Sequence, residues 1–168
     1  VRQTGSDQRE VERGVEVVRG RIILDLCGGT GSWSAPYRKA GYTVIVVDPM
    51  VNGVSVVNYC PPSDVHGILA APPCTEFAVS GARWWQRKHP DKLQKATNLV
   101  LNCLHIIKTA QPKWWALENP VGRLPRFIGP YVMTFQPWEY GDPWCKRTCL
   151  WGTFTPPKKN PVKPDMLL

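Results

Sequence analysis

The sequence predicts an α/β protein with a mostly parallel, doubly wound sheet. Apolar runs of strand length alternate with helix-like segments along the chain. The first run passes directly into a glycine-rich turn and then a helix, which is the opening unit of an open parallel sheet. A long amphipathic helix then separates two later runs. Strands that alternate with helices in this way favour a sheet covered on both faces.

The first half of the chain supplies two strands around a turn and a helix. Residues 1–20 form a polar lead-in, with a short helix expected over 7–18. RIILDL (21–26) is a strand, CGGTGSWS (27–34) a turn and APYRKAG (35–41) a helix. YTVIVVDP (42–49) is a second, β-branched strand that ends on Asp48.

The second half supplies the remaining strands and the long helix. HGILAAPPC (66–74) is an apolar run stopped by two prolines, and KWWALENP (113–120), YVMTFQP (131–137) and TCLWGTF (148–154) follow as strands. Between them, residues 91–110 form a helix whose apolar positions recur every three or four residues: Leu93, Ala96, Val100, Cys103 and Ile107. The tail, 156–168, is rich in proline and lysine, so we expect it to be extended, with its lysines solvated.

Size and charge limit the classes of protein. The 168 residues, 43% of them hydrophobic, suffice for one globular domain with its own core. A formal charge of +8 predicts a surface field that attracts polyanions, with nucleic acid as the natural candidate. The alternative is a basic soluble protein without such a partner.

Cysteine usage predicts neither a metal site nor a redox motif. There is no Cys-x-x-Cys pair and no Cys/His cluster with zinc-ligand spacing among the six cysteines, Cys27, Cys60, Cys74, Cys103, Cys145 and Cys149. The sequence shows no signal-peptide pattern and no apolar run long enough to cross a membrane. We therefore expect a reduced, intracellular protein that does not bind a membrane.

The glycine turn outlines a small-molecule pocket. A turn between strand and helix lets the backbone approach a ligand and directs amide groups toward it. Asp25, Gly28, Gly29 and Gly31 mark this turn, and Asp48 at the end of the next strand is placed to accept hydrogen bonds from ribose hydroxyls. A nicotinamide dinucleotide would use the same geometry, and a purely structural turn is the simpler alternative.

The segment APPCTEF (71–77) predicts a nucleophile. Pro72 and Pro73 stiffen the backbone before Cys74 at the carboxyl end of a strand, where open α/β sheets bind their ligands. A small buried core cysteine is the alternative. Glu118 and Asn119 end another apolar strand, so a carboxyl group and a thiol would converge at one edge of a parallel sheet, unless these are merely polar strand ends.

Five motifs in order resemble the cytosine-5 DNA methyltransferase family, especially its short phage-type members. They are DLCGGTGSW, VDP, APPCTEFAVSG, LENPVGRL and YGDPWCKRTCLW, and the resemblance covers the chain from about residue 21 to residue 151. The resemblance implies a Rossmann-like class I methyltransferase fold with an antiparallel last strand, and a catalytic domain over 21–155. It also implies S-adenosylmethionine as methyl donor, S-adenosylhomocysteine as product, Pro73-Cys74 as the nucleophile motif and Glu118-Asn119 as its partner.

The resemblance also assigns the cofactor pocket, with departures from the family pattern. The pocket would comprise Asp25, Cys27, Gly28, Gly29, Thr30, Gly31, Trp33, Asp48, Pro49 and Pro72. Cys27 stands where the family has an aromatic residue that packs on adenine, so that contact is expected from Trp33 or Pro49. The family's Gln-x-Arg-x-Arg motif corresponds to Trp144, Lys146 and Thr148, which leaves one cation in place of two arginines. Lys146 is expected to contact the flipped base or its phosphate, with Arg147 as its substitute.

The family normally has a target-recognition domain after the region that Lys146 occupies, and we expect none in this chain. We expect low sequence specificity, or a recognition subunit on a separate chain. The segment GARWWQRKH (81–89) interleaves cations with indoles and is expected to bind DNA through Arg83, Trp84, Trp85, Arg87 and Lys88. Its alternative is a solvated loop with two tryptophans in the core.

Other functions fit the motifs less well. The chain could be a non-catalytic nucleic-acid-binding module, but Cys74 and Glu118 together argue against that. An oxidoreductase has no use for Pro-Pro-Cys opposite Glu-Asn, and an amino-group methyltransferase would not begin its tetrad with Ala71 and end it with Cys74. The phage-type resemblance suggests protection of DNA from restriction nucleases in the host cytoplasm.

Overall fold

The computed structural model describes residues 20–165, which contain one six-stranded sheet. The helix predicted over 7–18 lies outside the described residues. The strands are β1 (Ile22–Leu26), β2 (Thr43–Val47), β3 (Val65–Ala70), β4 (Trp114–Pro120), β5 (Met133–Phe135) and β6 (Thr148–Thr153). Their order is β2-β1-β3-β4-β6-β5. The first four are mutually parallel, and β6 is antiparallel to both neighbours, which confirms the predicted topology.

The strand register places the predicted site at one edge of the sheet. Leu26 pairs with Ala70, and Ala70 pairs with Leu117. The carboxyl ends of β1, β3 and β4 therefore lie side by side. The glycine turn, the Cys74 loop and Glu118 all emerge where open parallel sheets bind ligands.

Apart from one long helix, the helices of the described residues are short. They are α1 (Ala35–Lys39), α2 (Pro49–Asn52), α3 (Pro90–Ala110) and α4 (Pro125–Ile128), with two 3₁₀ helices, η1 (Val79–Trp84) and η2 (Pro137–Tyr140). Helix α3 begins after His89, whose Nδ1 accepts the Asp91 N–H at 3.3 Å. It ends at Gln111, which has a left-handed φ of 46° immediately before Pro112.

Helix α3 covers one face of the sheet. Its buried residues are Ala96, Val100, Cys103, Ile106 and Ile107, so the predicted stripe holds except that Leu93 is only partly buried. They pack on inward side chains of the central strands, including Leu24, Ile68 and Leu117. Each such buried aliphatic side chain stabilises the fold by about 1.5–3 kcal/mol relative to an exposed one. No helix in residues 20–165 is long and apolar enough to cross a membrane.

The opposite face is covered more thinly. Ile23, Leu69 and Ala116 lie beneath a layer of aromatic side chains, in which Tyr37 of α1 stacks on Trp114 at a centroid distance of 5.2 Å. A groove of about 1160 Å³ remains open along this face. The double winding predicted from the sequence is therefore only partial within the described residues, because α1 has five residues.

The described part of the tail packs on η2. The Asn160 and Val162 N–H groups donate to the carbonyl oxygens of Glu139 (3.0 Å) and Trp138 (2.8 Å). Lys159 forms an ion pair with Glu139. The Lys159 side chain is 59% exposed, as predicted for a solvated tail lysine, and it gains the Glu139 carboxylate as a surface partner.

Candidate active site

The nucleophile loop leaves β3 in a fixed direction. The Ala71 N–H still donates to the Leu26 carbonyl at 2.9 Å, so the chain stays in the sheet until Pro72. Pro73 is exposed, and Cys74 is a free, partly exposed cysteine. The Cys74 carbonyl accepts the N–H groups of Phe77 (2.8 Å) and Ala78 (2.9 Å) in a tight turn. The thiol is thus not sealed in the core.

The end of β4 is tied to the nucleophile loop. Asn119 is fully buried, and its Nδ2 donates to the Pro72 carbonyl at 3.0 Å. Its Oδ1 is buried and has no hydrogen-bond partner in the described chain. We predicted a catalytic role for Asn119, and the structure shows this backbone contact instead, since the side chain points under the nucleophile loop. No hydrogen bond between the Cys74 thiol and the Glu118 carboxyl is present among residues 20–165.

Backbone pairing extends this tie. The Val79 N–H donates to the Val121 carbonyl, and the Arg123 N–H to the Phe77 carbonyl, both at 2.9 Å. Ala78 and Gly122 form an isolated antiparallel bridge between them. A Cβ on Gly122 would lie 1.8 Å from the Phe77 carbonyl oxygen, so only glycine permits this approach of the two loops.

We expect Gly122→Ala to destabilise the fold by about 1–3 kcal/mol, the usual cost of overpacking, because the added methyl must displace backbone rather than a flexible side chain. Urea denaturation would measure the free energy of unfolding. Gly81→Ala is the matched control, since its Cβ would make an ordinary contact at 3.8 Å with the Thr75 carbonyl. Equal free energies of unfolding for Gly122→Ala and Gly81→Ala would contradict the inference that the approach of the two loops requires glycine at position 122.

Glu118 faces the open groove together with Lys146. The Lys146 Nζ lies 3.5 Å from the Glu118 Oε1, and the two side chains are 59% and 22% exposed. Trp33 lines the same groove, with further aromatic residues Tyr37, Trp114, Phe135, Tyr140 and Phe154. Arg147 is exposed, and its carbonyl accepts the Val121 N–H at 3.2 Å. Lys146 rather than Arg147 therefore meets the predicted acid.

The glycine turn is shaped by close packing on Asp25. A Cβ on Gly28 would lie 2.4 Å from the Asp25 carboxyl carbon, so a side chain is excluded there. Cys27, Gly29 and Gly31 have left-handed φ angles of 55°, 51° and 72°. The Gly31 N–H closes the turn on the Gly28 carbonyl at 2.8 Å. Thr30 is exposed, with its hydroxyl 2.7 Å from that of Ser32.

Both predicted cofactor acids are held in place. Asp25 is fully buried, and that burial raises the pKa of its carboxyl group. The Ser34 hydroxyl donates to Asp25 Oδ2, while Oδ1 has no partner among the described residues. Asp48 accepts the Gly29 N–H at 3.0 Å and the Met50 N–H at 2.8 Å, so it holds the turn and caps α2. Pro49 is the exposed first residue of that helix.

Cys27 turns toward the core instead of replacing the family's aromatic contact. Its thiol interacts with the Cys103 thiol of α3, which lowers the pKa of Cys27 and raises that of Cys103. Trp33 lies on the groove face against Ile23 and Leu69. Met50, which follows Asp48 and Pro49, is 92% exposed.

The aromatic and basic segment has two faces, and η1 forms its first part where we predicted a loop. Trp84 is 45% exposed, and the guanidinium carbons of Arg83 and Arg87 lie 5.1 and 5.5 Å from its ring centroid. Trp85 and Lys88 instead turn inward. The Trp85 ring centroid lies 4.5 Å from the Arg123 guanidinium carbon, and Lys88 donates to the Thr75 carbonyl, so DNA binding by these two side chains stays a prediction.

Residues that sequence analysis missed support the predicted ones. Ser34 holds Asp25, and Arg123 donates through Nε to the Glu76 carbonyl at 2.8 Å. A serine nine residues after the acid carries little signal. Arg123 directly follows the Glu-Asn-Pro-Val-Gly stretch. Its position next to the apolar Leu124 was the only sign in the sequence that its side chain would be partly buried.

Comparisons with known proteins converge on this region. The family model for C-5 cytosine-specific DNA methylases matches residues 57–125, which include Cys74 and Glu118. Type II methyltransferase M.DdeI of Desulfomicrobium norvegicum is 27% identical over 124 residues, covering 61% of this chain and 28% of M.DdeI. A crystal structure of a proposed DNA modification methyltransferase encoded within an E. coli prophage has a TM-score of 0.57 at 16% identity.

The fold is therefore shared with a solved structure, although the chain is much shorter. The structural match covers 86% of this chain and 53% of the prophage-encoded protein. The chain thus spans about half of that structure and 28% of M.DdeI. Among the described residues, no group of three or more His, Cys, Asp or Glu side chains could hold a metal ion.

Proposed function

We propose that the chain methylates carbon 5 of cytosine in DNA with S-adenosylmethionine as methyl donor, because residues 57–125 match the family model for C-5 cytosine-specific DNA methylases and M.DdeI is 27% identical over 124 residues. The observation that carries the proposal is the contact between the nucleophile loop and the end of β4 at one sheet edge. The loop bears the partly exposed Cys74, the strand bears Glu118, and Asn119 of the strand joins them through the Pro72 carbonyl.

The chemistry requires a nucleophile and an acid on opposite sides of a ring. Carbon 5 of cytosine is a poor nucleophile, so the Cys74 thiolate first adds to carbon 6 and moves electron density to carbon 5. Glu118 would hydrogen bond ring nitrogen 3 and stabilise the charge that develops there. Carbon 5 then takes the methyl group. A base removes the carbon 5 proton, the sulfur–carbon 6 bond breaks, and the ring and Cys74 are restored.

The residues at the glycine turn fit a sulfonium nucleoside cofactor. When bound, S-adenosylmethionine supplies an electrophilic methyl group, and S-adenosylhomocysteine is the product. Asp25 Oδ1 lacks a partner among the described residues, as expected of an acceptor beside a ligand amine. Each Asp48 oxygen accepts one backbone N–H, which leaves a lone pair on each for ribose hydroxyls.

Lys146 would act on the acid and the DNA. It pairs with Glu118 across 3.5 Å, and its side chain is more than half exposed. A cytosine that enters beside Glu118 would separate the pair, because ring nitrogen 3 takes the carboxyl group's hydrogen bond. The freed ammonium would then meet a DNA phosphate.

DNA would bind to the solvent-exposed face of the aromatic and basic segment that follows Cys74. The exposed Trp84 ring suits stacking on an unpaired base, and Arg83 and Arg87 suit phosphates on either side. The enzyme must swing the target base out of a duplex, which leaves neighbouring bases unstacked.

We expect the double variant Arg83→Met/Arg87→Met to flatten the salt dependence of DNA binding. Each lost phosphate contact should reduce the slope of log K against log salt by about 0.9. Trp84→Ala should weaken binding with little change in slope, since stacking releases no counterion. Fluorescence anisotropy with labelled DNA at several salt concentrations measures both. Lys39→Met/Lys108→Met, two exposed cations elsewhere, is the control, and an equal slope change there would overturn the assignment.

Recognition of a specific DNA sequence would need more contacts than Arg83, Trp84 and Arg87 supply. We expect the chain alone to methylate cytosine with low specificity, and a separate recognition subunit would reveal itself by sequence-selective methylation after its addition. The proposed role is modification of DNA in the cytoplasm of a host cell, where it would block restriction nucleases.

Incubation of the chain with S-adenosylmethionine and duplex DNA tests the function directly. Digestion to nucleosides and mass spectrometry should reveal 5-methylcytosine. Methyl groups on exocyclic amines, or on RNA alone, would refute the proposal. DNA binding with no transfer to any substrate would favour a non-catalytic binding module.

A further inference from the structure

Two cations hold the backbone immediately after the nucleophile. The Lys88 Nζ donates to the Thr75 carbonyl at 2.7 Å and lies 3.1 Å from the Glu76 Oε2. The Arg123 Nε donates to the Glu76 carbonyl at 2.8 Å. The two carbonyl groups that follow Cys74 in the chain are therefore each bound by a charged donor, and such bonds are about twice as strong as neutral ones.

These cations are anchored in turn. The Arg123 guanidinium carbon lies 4.5 Å from the centroid of the Trp85 ring, and the Arg123 N–H donates to the Phe77 carbonyl. We call Trp85, Lys88 and Arg123 the clasp. Trp85 and Lys88 come from the segment after Cys74, whereas Arg123 comes from the loop after Glu118. The clasp therefore joins the loop that carries the proposed nucleophile to the loop that follows the strand of the proposed acid.

The ion pair between Lys88 of the clasp and Glu76 is partly shielded from solvent. The Lys88 and Glu76 side chains are 21% and 12% exposed, so solvent screens their pair less than a surface pair. Residues 71–76 belong to no helix or strand, and Pro73 and Thr75 are exposed. The direction of the Cys74 side chain thus depends on what holds its neighbours.

We propose that Arg123, with Lys88 and Trp85, is a positioning residue that fixes Cys74 for attack on the cytosine ring. This rests on the proposed function. The segment 83–88 then has separate roles on its two faces: Arg83, Trp84 and Arg87 face solvent and DNA, and Trp85 and Lys88 face the nucleophile loop. Substitution of Trp85 or Lys88 should change the rate of methyl transfer. Substitution of Arg83, Trp84 or Arg87 should change DNA affinity.

The test compares Arg123→Met, Arg123→Lys and Lys88→Met with Arg126→Met, an exposed arginine three residues further on. Single-turnover methyl transfer at saturating S-adenosylmethionine and DNA measures chemistry, and equilibrium titrations give Kd for each. Alkylation of Cys74 by iodoacetamide, quantified by mass spectrometry against the exposed Cys60 and Cys145 of the same molecule, measures the loop itself and needs no activity.

In Arg123→Met we expect the single-turnover rate constant to fall by roughly 100-fold, as a displacement near 1 Å produces, with both Kd values within about twofold of wild type. Alkylation of Cys74 relative to Cys60 and Cys145 should rise by about threefold or more, because a released thiol is more accessible. Arg123→Lys should recover part of the rate, Lys88→Met should show a smaller loss, and Arg126→Met should match wild type.

An unchanged rate constant and alkylation ratio in Arg123→Met would overturn the proposal. A loss confined to Kd would overturn it as well, since that would make Arg123 a binding residue. Should Arg123→Met fail to fold, Arg123→Lys decides instead, because it keeps a cation over Trp85 but cannot donate through Nε. If the wild-type chain transfers no methyl group, the proposed function fails, while the alkylation ratio still decides whether the clasp holds Cys74.

Discussion

Replacement of Cys74 by serine should reduce methyl transfer by roughly 10⁴-fold or more, because a hydroxyl group cannot serve as the thiolate that activates carbon 6. Cys74 is partly exposed in the loop after β3, and neither hydrophobic core cluster of the described residues includes it. The variant should therefore fold, and should bind S-adenosylmethionine and DNA as the wild type does.

Single-turnover assays with a labelled methyl donor measure this loss, and binding titrations on the same samples establish that the pockets are intact. Cys60→Ser is the matched control, because Cys60 is an exposed free cysteine outside the proposed site. A Cys74→Ser protein that retained a tenth of the wild-type rate would exclude covalent catalysis through this residue.

Glu118→Gln should lower the single-turnover rate constant by about 10²–10⁴-fold, the usual contribution of a positioned acid or base. The amide has nearly the same size, but it cannot transfer a proton to or from ring nitrogen 3. It also ends the ion pair with Lys146 at 3.5 Å, so Lys146 should become free to bind phosphate. DNA affinity should therefore stay equal or increase.

Asp142→Asn is the control for loss of one carboxylate, since Asp142 is exposed in the same loop as Lys146. Quenched-flow measurement at saturating DNA separates chemistry from binding. A rate constant for Glu118→Gln within threefold of that for Asp142→Asn would remove Glu118 from the mechanism.

The sheet could be predicted because each strand is signalled locally. Apolar runs of five to seven residues became β1 to β4, and the periodic stripe from Ala96 to Ile107 became the buried face of α3. The acids Asp25 and Asp48 lie at strand ends because the runs stop there. In a parallel sheet those ends share an edge, which is why Cys74 and Glu118 could be expected on neighbouring loops.

The contacts that organise the site could not be predicted in the same way. The bonds from Asn119 to Pro72 and from Arg123 to Glu76 each join residues 47 apart in the chain, and no local pattern encodes such pairs. The opposite orientations of Trp84 and Trp85 depend on the 3₁₀ geometry of η1, whereas the sequence shows only two adjacent indoles. Lys88 was likewise predicted to contact DNA. Its acceptor in the structure is the backbone carbonyl of Thr75, and no side chain in the sequence signals such a partner.

The central claim is a covalent bond between the Cys74 sulfur and carbon 6 of cytosine. DNA that contains 5-fluorocytosine tests it, because fluorine at carbon 5 leaves no proton to remove after methyl transfer and the adduct persists. With S-adenosylmethionine present, mass spectrometry of the digested complex should place the methylated nucleotide on the peptide that contains Cys74. Methylation of ordinary cytosine by a protein that forms no such adduct, or an adduct on another cysteine, would contradict the account.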